Sequence, residues 1–514
     1  MPVDAPWTRW IEQNEQALID RLREAVEIPS VSGEASYRPH VHRMGQWLHD
    51  QLVKLGAEIR AVNVGQQELE GQTLDLPPVL VGSLGSDPKK ETILLYGHYD
   101  VQPALMSDGW KHEPFTLTHD KETDRLYGRG SSDDKGPILG WLNVIQAHKE
   151  TDTEMPVNLK FCFEGMEESG SEGLEELVVK ETKGEFKDVS ATCISDSYWL
   201  GTTKPCLTNG LRGLSYFSVS ISGPGADLHS GVHGGVVHEP MTDLFALFSK
   251  LVTPQGKILI PGINDKVAPL TPEERKLYEA LDMTVADLEG AVGGKVVISD
   301  DKVDALMARM RYPSLSIHGV EGAFSTPGAK TVIPASVKGK FSIRLVPDLE
   351  PEEVGKLVEK YLEDEFAKLG SKNSFRVEML HGGKPWVSSV DHWNFRAATK
   401  ATELVYGQTP NFMREGGSIP ITLTFAEALG KNVMLFPSTS AVSRARSRTT
   451  KADLLTHSSR LVSVAVGRGD DGAHSTNEKL DKSNFITGSI ALGQYLHEVP
   501  AAAAAAAAGE GQQQ

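Results

Sequence analysis

Apolar residues recur along the first part of this chain in short continuous runs that are separated by segments with helical spacing. Continuous apolar runs are typical of strands that are buried on both faces of a sheet. Because such runs alternate with helical segments, we predict an α/β sheet flanked by helices. The predicted strands are PPVLVGSLG, TILLYGHYD, VNLKFCFEG and SATCISD, and the predicted helices are IEQNEQALIDRLREAVEI, HVHRMGQWLHDQLVKLGA and ILGWLNVIQAHKE.

The pattern changes near residue 208, where apolar and polar residues begin to alternate. The segments RGLSYFSVSISGPG, SLSIHGVEGAF and SVKGKFSIRLVP read as half-exposed antiparallel strands, and EPEEVGKLVEKYLEDEFAKLG reads as an amphipathic helix. We therefore predict a first domain over residues 1–208 and 392–500, interrupted by an α+β domain over 209–391. The low-complexity tail 501–514 is expected to be disordered or a frayed helix.

Composition and charge narrow the classes of protein. A net charge of -17 over 514 residues argues against a nucleic-acid-binding protein, which usually presents a basic face. Only three cysteines occur, too few and too scattered for a disulfide framework, so we expect reduced, buried thiols in a cytoplasmic protein. No apolar signal segment begins the chain and no run approaches about 18 apolar residues, so we expect neither secretion nor a membrane span.

A histidine and an aspartate end the apolar run TILLYGHYD. His98 and Asp100 are two residues apart, so in extended backbone their side chains point the same way. Because functional sites collect at the carboxyl ends of parallel strands, His98 is a candidate metal ligand and Asp100 a residue that braces an imidazole or a nearby ligand. A solvated pair without function is an equally good interpretation of this motif alone.

A second acidic motif, GRGSSDDKGP, comes directly before a predicted helix. Asp133 is a candidate bridging carboxylate between two cations, and we expect Asp134 to face away, toward the helix start. The alternative is an ordinary helix start, at which an Asp or Ser side chain caps free backbone N–H groups. Taken alone, the motif does not decide between these two interpretations.

Two adjacent glutamates, Glu167 and Glu168, close the strongly apolar strand of FCFEGMEESGSEG. Two carboxylates side by side at a buried strand end are costly unless a cation or a proton compensates them. A division of roles solves this problem, with Glu168 as a metal ligand and Glu167 as a free proton carrier. A helix N-terminus with acidic first-turn residues is the alternative, and we favour the functional interpretation.

Two further residues complete a metal-binding set. Asp196 ends an apolar strand in ISDSYW, and His474 lies in the glycine-containing loop DDGAHSTNE. Two divalent cations carry four positive charges, which three acidic ligands and one bridging hydroxide would offset while two histidines stay neutral. The sequence therefore predicts a two-metal hydrolase centre that lowers the pKa of a bridging water, with Glu167 as the base that takes its proton.

These motifs resemble those of the di-metal aminopeptidase and carboxypeptidase clan that contains carnosinases, aminoacylase and glutamate carboxypeptidase. The similarity is greatest to its cytosolic nonspecific dipeptidase branch, which includes Cys-Gly metallodipeptidases. It implies a di-metal catalytic domain with a central mixed sheet flanked by helices, and an inserted α+β lid that dimerises. The motifs are YGHYDVQPA, GRGSSDDKGP, CFEGMEESGSEG, ISDSYWLG, ADLHSGVHGG, KTVIPA, FSIRLVP, REGGSIPITLTF and GRGDDGAHSTNEKLD.

The resemblance also implies a role for each metal-site position. Asp133 would be shared by both ions, and the peptide bond that follows it would be cis. Asp100 would be a supporting catalytic residue and Glu167 the general base. Zinc or manganese suits such a mixture of imidazole and carboxylate ligands. His98 and Asp196 would complete the ligands of one ion, and Glu168 and His474 those of the other.

The resemblance further implies how substrate is held. His229 in ADLHSG would reach into the partner subunit's site and stabilise the oxyanion, although a simple turn histidine is the alternative. Thr331, Arg344 and Ser418 would hold the substrate's C-terminal carboxylate, for which a guanidinium offers two parallel donors. An exposed strand arginine is the alternative for Arg344. Gly417 lets a backbone N–H group approach the ligand closely.

These inferences predict a cytoplasmic, homodimeric metallodipeptidase that acts on dipeptides with a free C-terminal carboxylate, Cys-Gly among them, and that serves glutathione degradation. Its partners would be dipeptide substrates, with no nucleic acid and no membrane. Two alternatives stay open at this point. One is a related N-acyl amino-acid amidohydrolase, and the other is an inactive partner in a peptide-degrading complex.

One segment departs from the family pattern, in which the strand NVMLFP runs almost directly into GRGDDGAHS. Residues 438–465 carry five basic residues against one acidic residue, and we predict a long flexible surface loop. Removing these residues restores the family-like join, so we hypothesise a translated intron or a recent insertion. A loop lengthened by this amount costs only about 1–2 kcal/mol of closure entropy. The fold can therefore tolerate it, but it alters the approach to His474.

Overall fold

The structure, a computed structural model, describes residues 4–200, 204–417, 419–437 and 471–510. The predicted loop 438–465 and the predicted substrate ligand Ser418 lie outside these residues. The chain forms two compact units. The first comprises Met1–Asn209, Ser388–Met413 and Thr424–Gln514, and the second comprises Gly210–Val387 and Arg414–Leu423.

The N-terminal part of the first unit alternates strands and helices. The helix Arg38–Leu55 ends just before Gly56, which adopts a positive φ of 104° that glycine accepts without steric cost. The helices are α1 (Pro6–Gln13), α2 (Glu15–Val26), α3 (Arg38–Leu55), α4 (Lys135–Glu150) and α5 (Leu174–Glu181). The strands are β1 (Glu58–Val62), β2 (Gln66–Leu69), β3 (Gln72–Asp75), β4 (Val79–Leu84), β5 (Thr92–His98), β6 (Thr118–Asp120), β7 (Arg125–Tyr127), β8 (Asn158–Glu164), β9 (Ala191–Ile194) and β10 (Cys206–Leu211).

The second unit is built on the alternating strands that the sequence predicts. Its strands are β11 (Gly213–Ser222), β12 (Leu228–His229), β13 (Ser314–Glu321), β14 (Val332–Ile333), β15 (Ser336–Leu345), β16 (Ser374–Gly383) and β17 (Trp386–Val387). The main sheet is antiparallel, with strand order β13-β15-β11-β16, and a two-stranded sheet pairs β12 with β14. The helices are α6 (Ser230–His233), α7 (Pro240–Phe248), α8 (Pro272–Ala280), α9 (Val285–Val292), α10 (Lys302–Met310) and α11 (Pro351–Leu369).

Alternate side chains of β11 form the core of this unit. Phe217, Val219 and Ile221 are buried together with Leu244 and Leu247 of α7. The alternation arises because successive side chains of a strand point to opposite faces, so that one face packs and the other stays polar.

The C-terminal part of the chain contributes residues to both units. Residues 414–423, which the sequence placed in the first domain, belong to the second unit, where Arg212 N–H donates to the carbonyl of Glu415 at 3.2 Å. The remaining elements are α12 (Trp393–Tyr406), β18 (Asn411–Glu415), α13 (Pro420–Leu429), β19 (Val433–Leu435), β20 (Lys479–Asp481) and α14 (Lys482–Glu510).

The central sheet of the first unit is mixed, as predicted. Its strand order is β1-β4-β8-β5-β9-β19-β10. The strands β8, β5, β9 and β19 run parallel to one another, whereas β1–β4, β4–β8 and β19–β10 are antiparallel pairs. Every residue of β5 is buried, which explains its continuous apolar sequence. The parallel strands therefore end at one common edge.

The C-terminal tail is expected from its sequence to be disordered or a frayed helix, and residues 501–510 are helical. The α14 helix continues through Pro500 into the alanine run. Alanine has the highest helix propensity, and a helix already nucleated by its packed first turns extends without a further nucleation cost.

Two other expectations concern cysteines and membranes. All three cysteines, Cys162, Cys193 and Cys206, are buried thiols, as predicted. Among the described residues, no helix combines the length and apolar character that crossing a membrane requires.

Candidate metal centre

The parallel strands of the first unit carry several site residues to the same edge. His98 is the last residue of β5 and pairs in register with Glu164 of β8. Asp196 follows the end of β9, which lies on the other side of β5. His98 is fully buried and Asp196 is nearly so. The topology therefore brings these residues together although they are far apart in sequence.

Asp133 lies between the two histidines of the centre. Its Oδ1 is 3.1 Å from Nε2 of His98, and its Oδ2 is 3.3 Å from Nε2 of His474. The peptide bond between Asp133 and Asp134 is cis, as the family resemblance implied. One carboxylate thus presents its two oxygens to two different imidazoles.

The site contains two groups of potential metal ligands that share Asp133. One is His98, Asp133 and Asp196, the other is Asp133, Glu168 and His474, and within each group the ligand atoms lie within 4.8 Å of one another. His98 Nε2 is 3.8 Å from Asp196 Oδ2, and His474 Nε2 is 2.9 Å from Glu168 Oε2. Imidazole and carboxylate donors at this spacing fit divalent metal ions.

Asp100 connects the histidine strand with the two glutamates. The Nδ1 atom of His98 donates to the backbone carbonyl of Asp100 at 3.1 Å, which leaves Nε2 free to act as a ligand. The carboxylate of Asp100 accepts hydrogen bonds from the backbone N–H groups of Glu167 at 3.2 Å and Glu168 at 3.1 Å. Asp100 therefore positions the glutamate turn as well as the imidazole.

Asp134 does not face the helix start, contrary to the prediction. Its Oδ2 accepts a hydrogen bond from the backbone N–H of His98 at 3.2 Å, and its side chain makes no cap bond to α4. The carboxylate fits there because Gly97 has no side chain: a Cβ at that position would lie 2.6 Å from Oδ2. Burial raises the pKa of Asp134 well above its ordinary value, and the charge of Asp196 adds to this effect.

The electrostatics of the centre indicate an excess of negative charge. Hydrogen bonds to Asp133 and Glu168 raise the pKa of His474 to about 11. Burial, reinforced by the charge of Asp133, raises the pKa of Asp196 to about 7. Burial lowers the pKa of His98, but its contacts with Asp100 and Asp133 outweigh this and raise it well above the ordinary value. Protons or cations are therefore needed to balance the site.

Glu167 begins a short turn of 3-10 helix, Glu167–Ser169, directly after β8. Burial raises the pKa of Glu167 well above its usual value, and the nearby charges of Asp196 and Glu168 raise it further, although His98 opposes them. A carboxyl group with a raised pKa is suited to accept and return a proton near neutral pH.

The structure also reveals neighbours that sequence reasoning missed. Gln102 donates from Nε2 to Oε2 of Glu168 at 2.8 Å. Glu478 is fully buried and accepts hydrogen bonds from the loop that carries Asp133. Both lie inside the quoted motifs YGHYDVQPA and GRGDDGAHSTNEKLD, but residue type and spacing do not show which groups they contact.

In the second unit, the structure brings His229 and Thr331 together. His229 of β12 pairs with Val332 of β14, and the backbone N–H of Ser230 donates to the carbonyl of Thr331 at 3.2 Å. The side chain of His229 is exposed, and its Nδ1 accepts the N–H of Gly231 at 3.0 Å. Its Nε2 atom therefore carries the proton in the neutral form and can donate it.

Arg344 lies on β15, with other arginines nearby. It pairs in register with Leu214 of β11 and Ser314 of β13. Arg212, whose guanidinium donates to Gly416 O at 3.2 Å and to Ser314 Oγ at 3.0 Å, has its pKa lowered to about 10 by burial and then by the charge of Arg344. Gly417, which follows Gly416 in the chain, is exposed.

A mixed α/β sheet whose strand edge carries these His and carboxylate groups defines a metal-dependent hydrolase. The model of the peptidase family M20/M25/M40 matches residues 94–461 of the chain. The chain belongs to this family, and the family implies divalent metal ions.

Similar proteins make the assignment more specific. The chain is 53% identical to the Cys-Gly metallodipeptidase DUG1 of Candida albicans over 490 residues, 95% of each chain. It is similar to the solved structure of the di-peptidase Dug1p from Saccharomyces cerevisiae, with 49% identity, a TM-score of 0.86 and coverage of 97% and 99%. Human carnosine dipeptidase 1 gives 41% identity, a TM-score of 0.84 and coverage of 96% and 98%. The chain is a metal-dependent dipeptidase, and neither alternative is favoured.

Proposed function

We propose that the centre holds two divalent ions, with Asp133 shared between them. His98 and Asp196 complete the ligands of one ion, and Glu168 and His474 those of the other. The observation that supports this assignment is the position of Asp133, whose two carboxylate oxygens lie at 3.1 Å and 3.3 Å from the two histidines. Zinc or manganese suits this ligand set. When bound, the ions supply positive charge that lowers the pKa of a water molecule and stabilises negative charge on the substrate carbonyl.

Glu167 serves as the general base in this mechanism. Its carboxylate takes the proton from the attacking water and returns it to the leaving amine. The backbone N–H bond to Asp100 holds the turn in which Glu167 lies, so Asp100 acts through the position of the base. The raised pKa of Glu167 favours return of the proton after the peptide bond breaks.

Substrate is held by residues of the second unit. Arg344, with Thr331, Gly417 and Ser418, binds the free C-terminal carboxylate of the dipeptide. A guanidinium suits this task because its planar N–H groups match the two oxygens of a carboxylate. Arg344 is partly buried, which lowers its pKa and strengthens its contact with an anion.

His229 stabilises the oxyanion in the site of a partner subunit, and the second unit forms the lid and the dimer contact. The exposed side chain of His229 supports this role, because its Nε2 atom is available to a group outside its own strand pair. The active enzyme is then a homodimer, and each site is complete only with the partner's histidine.

Dipeptides with a free C-terminal carboxylate, Cys-Gly in particular, are the proposed substrates. The support is the similarity to DUG1 of Candida albicans, which is named a Cys-Gly metallodipeptidase. We further propose that the enzyme acts in the cytoplasm and serves glutathione degradation.

Hydrolysis by the purified chain, after metal removal and stepwise addition of Mn²⁺ or Zn²⁺, tests the proposal. Cys-Gly should be cleaved with an activity that saturates at two ions per chain, whereas N-acetylated amino acids should be cleaved far more slowly. A variant that lacks residues 438–465 serves as a matched comparison for the effect of that segment on His474. Saturation at one ion, or a preference for acylated amino acids, contradicts the proposal.

A further inference from the structure

The loop that carries Asp133 is held by a single buried carboxylate. Glu478 is fully buried and accepts five hydrogen bonds, all from residues 129–133. Its Oε1 accepts from Ser132 N at 2.9 Å, Ser132 Oγ at 3.1 Å and Asp133 N at 3.1 Å. Its Oε2 accepts from Gly130 N at 2.9 Å and Arg129 Nη1 at 2.8 Å. The donor of one of these bonds is the residue shared by the two ligand groups.

The same contacts fix the loop that carries His474. Glu478 follows His474 by four residues, and its backbone carbonyl accepts the N–H of Gly128 at 3.0 Å. Arg129 donates from Nη2 to the carbonyl of Ser475 at 3.1 Å while Nη1 pairs with Glu478. Two loops that are about 345 residues apart are therefore joined through one ion pair and a cluster of backbone bonds.

The position of these loops decides the spacing of the ligands. Asp133 reaches His98 with one oxygen and His474 with the other, so a small shift of the Asp133 loop changes both ligand groups, and a shift of the His474 loop changes one of them. Metal sites require their ligands to be held within about 0.5 Å of the productive geometry. Mutation of a group that hydrogen-bonds to a metal ligand typically lowers metal affinity or activity by about 10–100-fold.

We propose that Glu478 is a positioning residue that sets the metal affinity of the centre by joining the Gly130–Asp133 loop to the loop that carries His474. This inference rests on the proposed two-metal centre. Glu478 is in neither group of potential metal ligands, and it acts through the backbone of Asp133. An ionised carboxylate suits the position because it accepts at both oxygens, whereas an amide of the same shape would turn an N–H group toward existing donors.

The test compares two variants with a matched control in the full-length protein. Glu478→Gln keeps the size of the side chain but places an amide nitrogen against donors. Ser132→Ala removes one of the five bonds and is a milder change. The control is Glu181→Gln, another buried carboxylate, whose partners Arg60 and the backbone of Glu185 belong to neither loop. The readouts are the Kd for Mn²⁺ by calorimetric titration of the metal-free protein, the Tm, and Cys-Gly hydrolysis at increasing Mn²⁺.

Glu478→Gln should weaken Mn²⁺ binding by about 10–100-fold, with activity that recovers at high Mn²⁺. Ser132→Ala should weaken it by about threefold to tenfold. Glu181→Gln should lower the Tm and leave the Kd unchanged. An unchanged Kd in Glu478→Gln, or equal effects in Glu478→Gln and the control, overturns the inference. If Glu478→Gln does not fold, an unchanged Kd in Ser132→Ala overturns it. A wild-type protein that binds no Mn²⁺ would instead contradict the proposed metal centre itself.

Discussion

Asp100 accepts a hydrogen bond through its Oδ1 from the backbone N–H of Glu167 at 3.2 Å, which ties the end of one parallel strand to the turn after its neighbour. This bond fixes the backbone of Glu167 and leaves its carboxylate free. A side chain that must accept and return a proton needs such an arrangement, because a metal ligand cannot also carry the proton.

The carboxylate of Glu167 should be needed for turnover but not for metal binding. Glu167→Gln should lower kcat for Cys-Gly by at least about 100-fold, because proton transfer by a positioned group contributes about 10²–10⁴ to the rate. Metal content should stay near the wild-type value, since Glu167 is in neither ligand group. Elemental analysis and steady-state kinetics measure both quantities. Wild-type turnover in this variant would refute the role of general base.

The shared ligand should behave differently from the others. Asp133→Asn should lose both ions, because Asp133 belongs to both ligand groups, whereas His474→Ala should retain the ion held by His98 and Asp196. Elemental analysis of the dialysed variants gives the number of ions per chain. Equal metal loss in the two variants would show that the ions are not held as two groups around one carboxylate.

Metal binding should release protons at pH 7. Without metal, His474 is protonated, because its contacts with Asp133 and Glu168 raise its pKa to about 11. A metal ligand must be deprotonated, so metal affinity should rise with pH below that value, by about tenfold per pH unit for each proton displaced. Titration calorimetry in buffers of different ionisation enthalpy counts the protons. His474→Ala should release fewer protons, and an equal count would argue against His474 as a ligand.

Arg344 should determine recognition of the free carboxylate. Arg344→Ala should raise KM for a dipeptide by about 10–100-fold, because a hydrogen bond to a charged group contributes about 1.5–3 kcal/mol. The variant should no longer distinguish a dipeptide from its C-terminal amide. His229→Ala provides the contrast, since loss of an oxyanion donor should lower kcat more than it raises KM. An unchanged KM in Arg344→Ala would show that Arg344 does not bind the substrate carboxylate.

A buried histidine near the end of α4 should make the fold sensitive to acid. His148 donates from Nδ1 to Val144 O at 2.8 Å, and its Nε2 lies 2.9 Å from Nε2 of His497. Burial lowers the pKa of His148 from 6.5 to about 4, so the folded state favours the neutral ring. The resulting stability is complete above pH 6.5 and is lost as pH falls toward 4, in total about 3 kcal/mol.

The matched variant for this last prediction is His148→Gln, which keeps a donor and an acceptor but does not titrate. Urea unfolding between pH 7 and pH 4 should show a smaller loss of stability in the variant than in the wild-type protein. Parallel curves for the two proteins would show that His148 does not contribute to the acid sensitivity.

The sequence alone determined the local character of the fold and the types of residue in the candidate site. The continuous apolar run before His98 predicts a fully buried strand, and the alternation in RGLSYFSVSIS predicts the half-buried β11. These features can be predicted from the sequence because burial of one or both faces sets the spacing of apolar residues along each strand or helix, whatever the distant residues are.

Only the tertiary structure decided which groups meet. Asp134 faces the backbone of His98 instead of the helix start, and Glu478 binds the loop of Asp133 from about 345 residues away. No spacing in the chain encodes such contacts, because they depend on which strand ends share a sheet edge and which backbone N–H groups a fold leaves for a buried carboxylate. Residue types therefore suggested the chemistry, whereas long-range packing set the geometry that makes it possible.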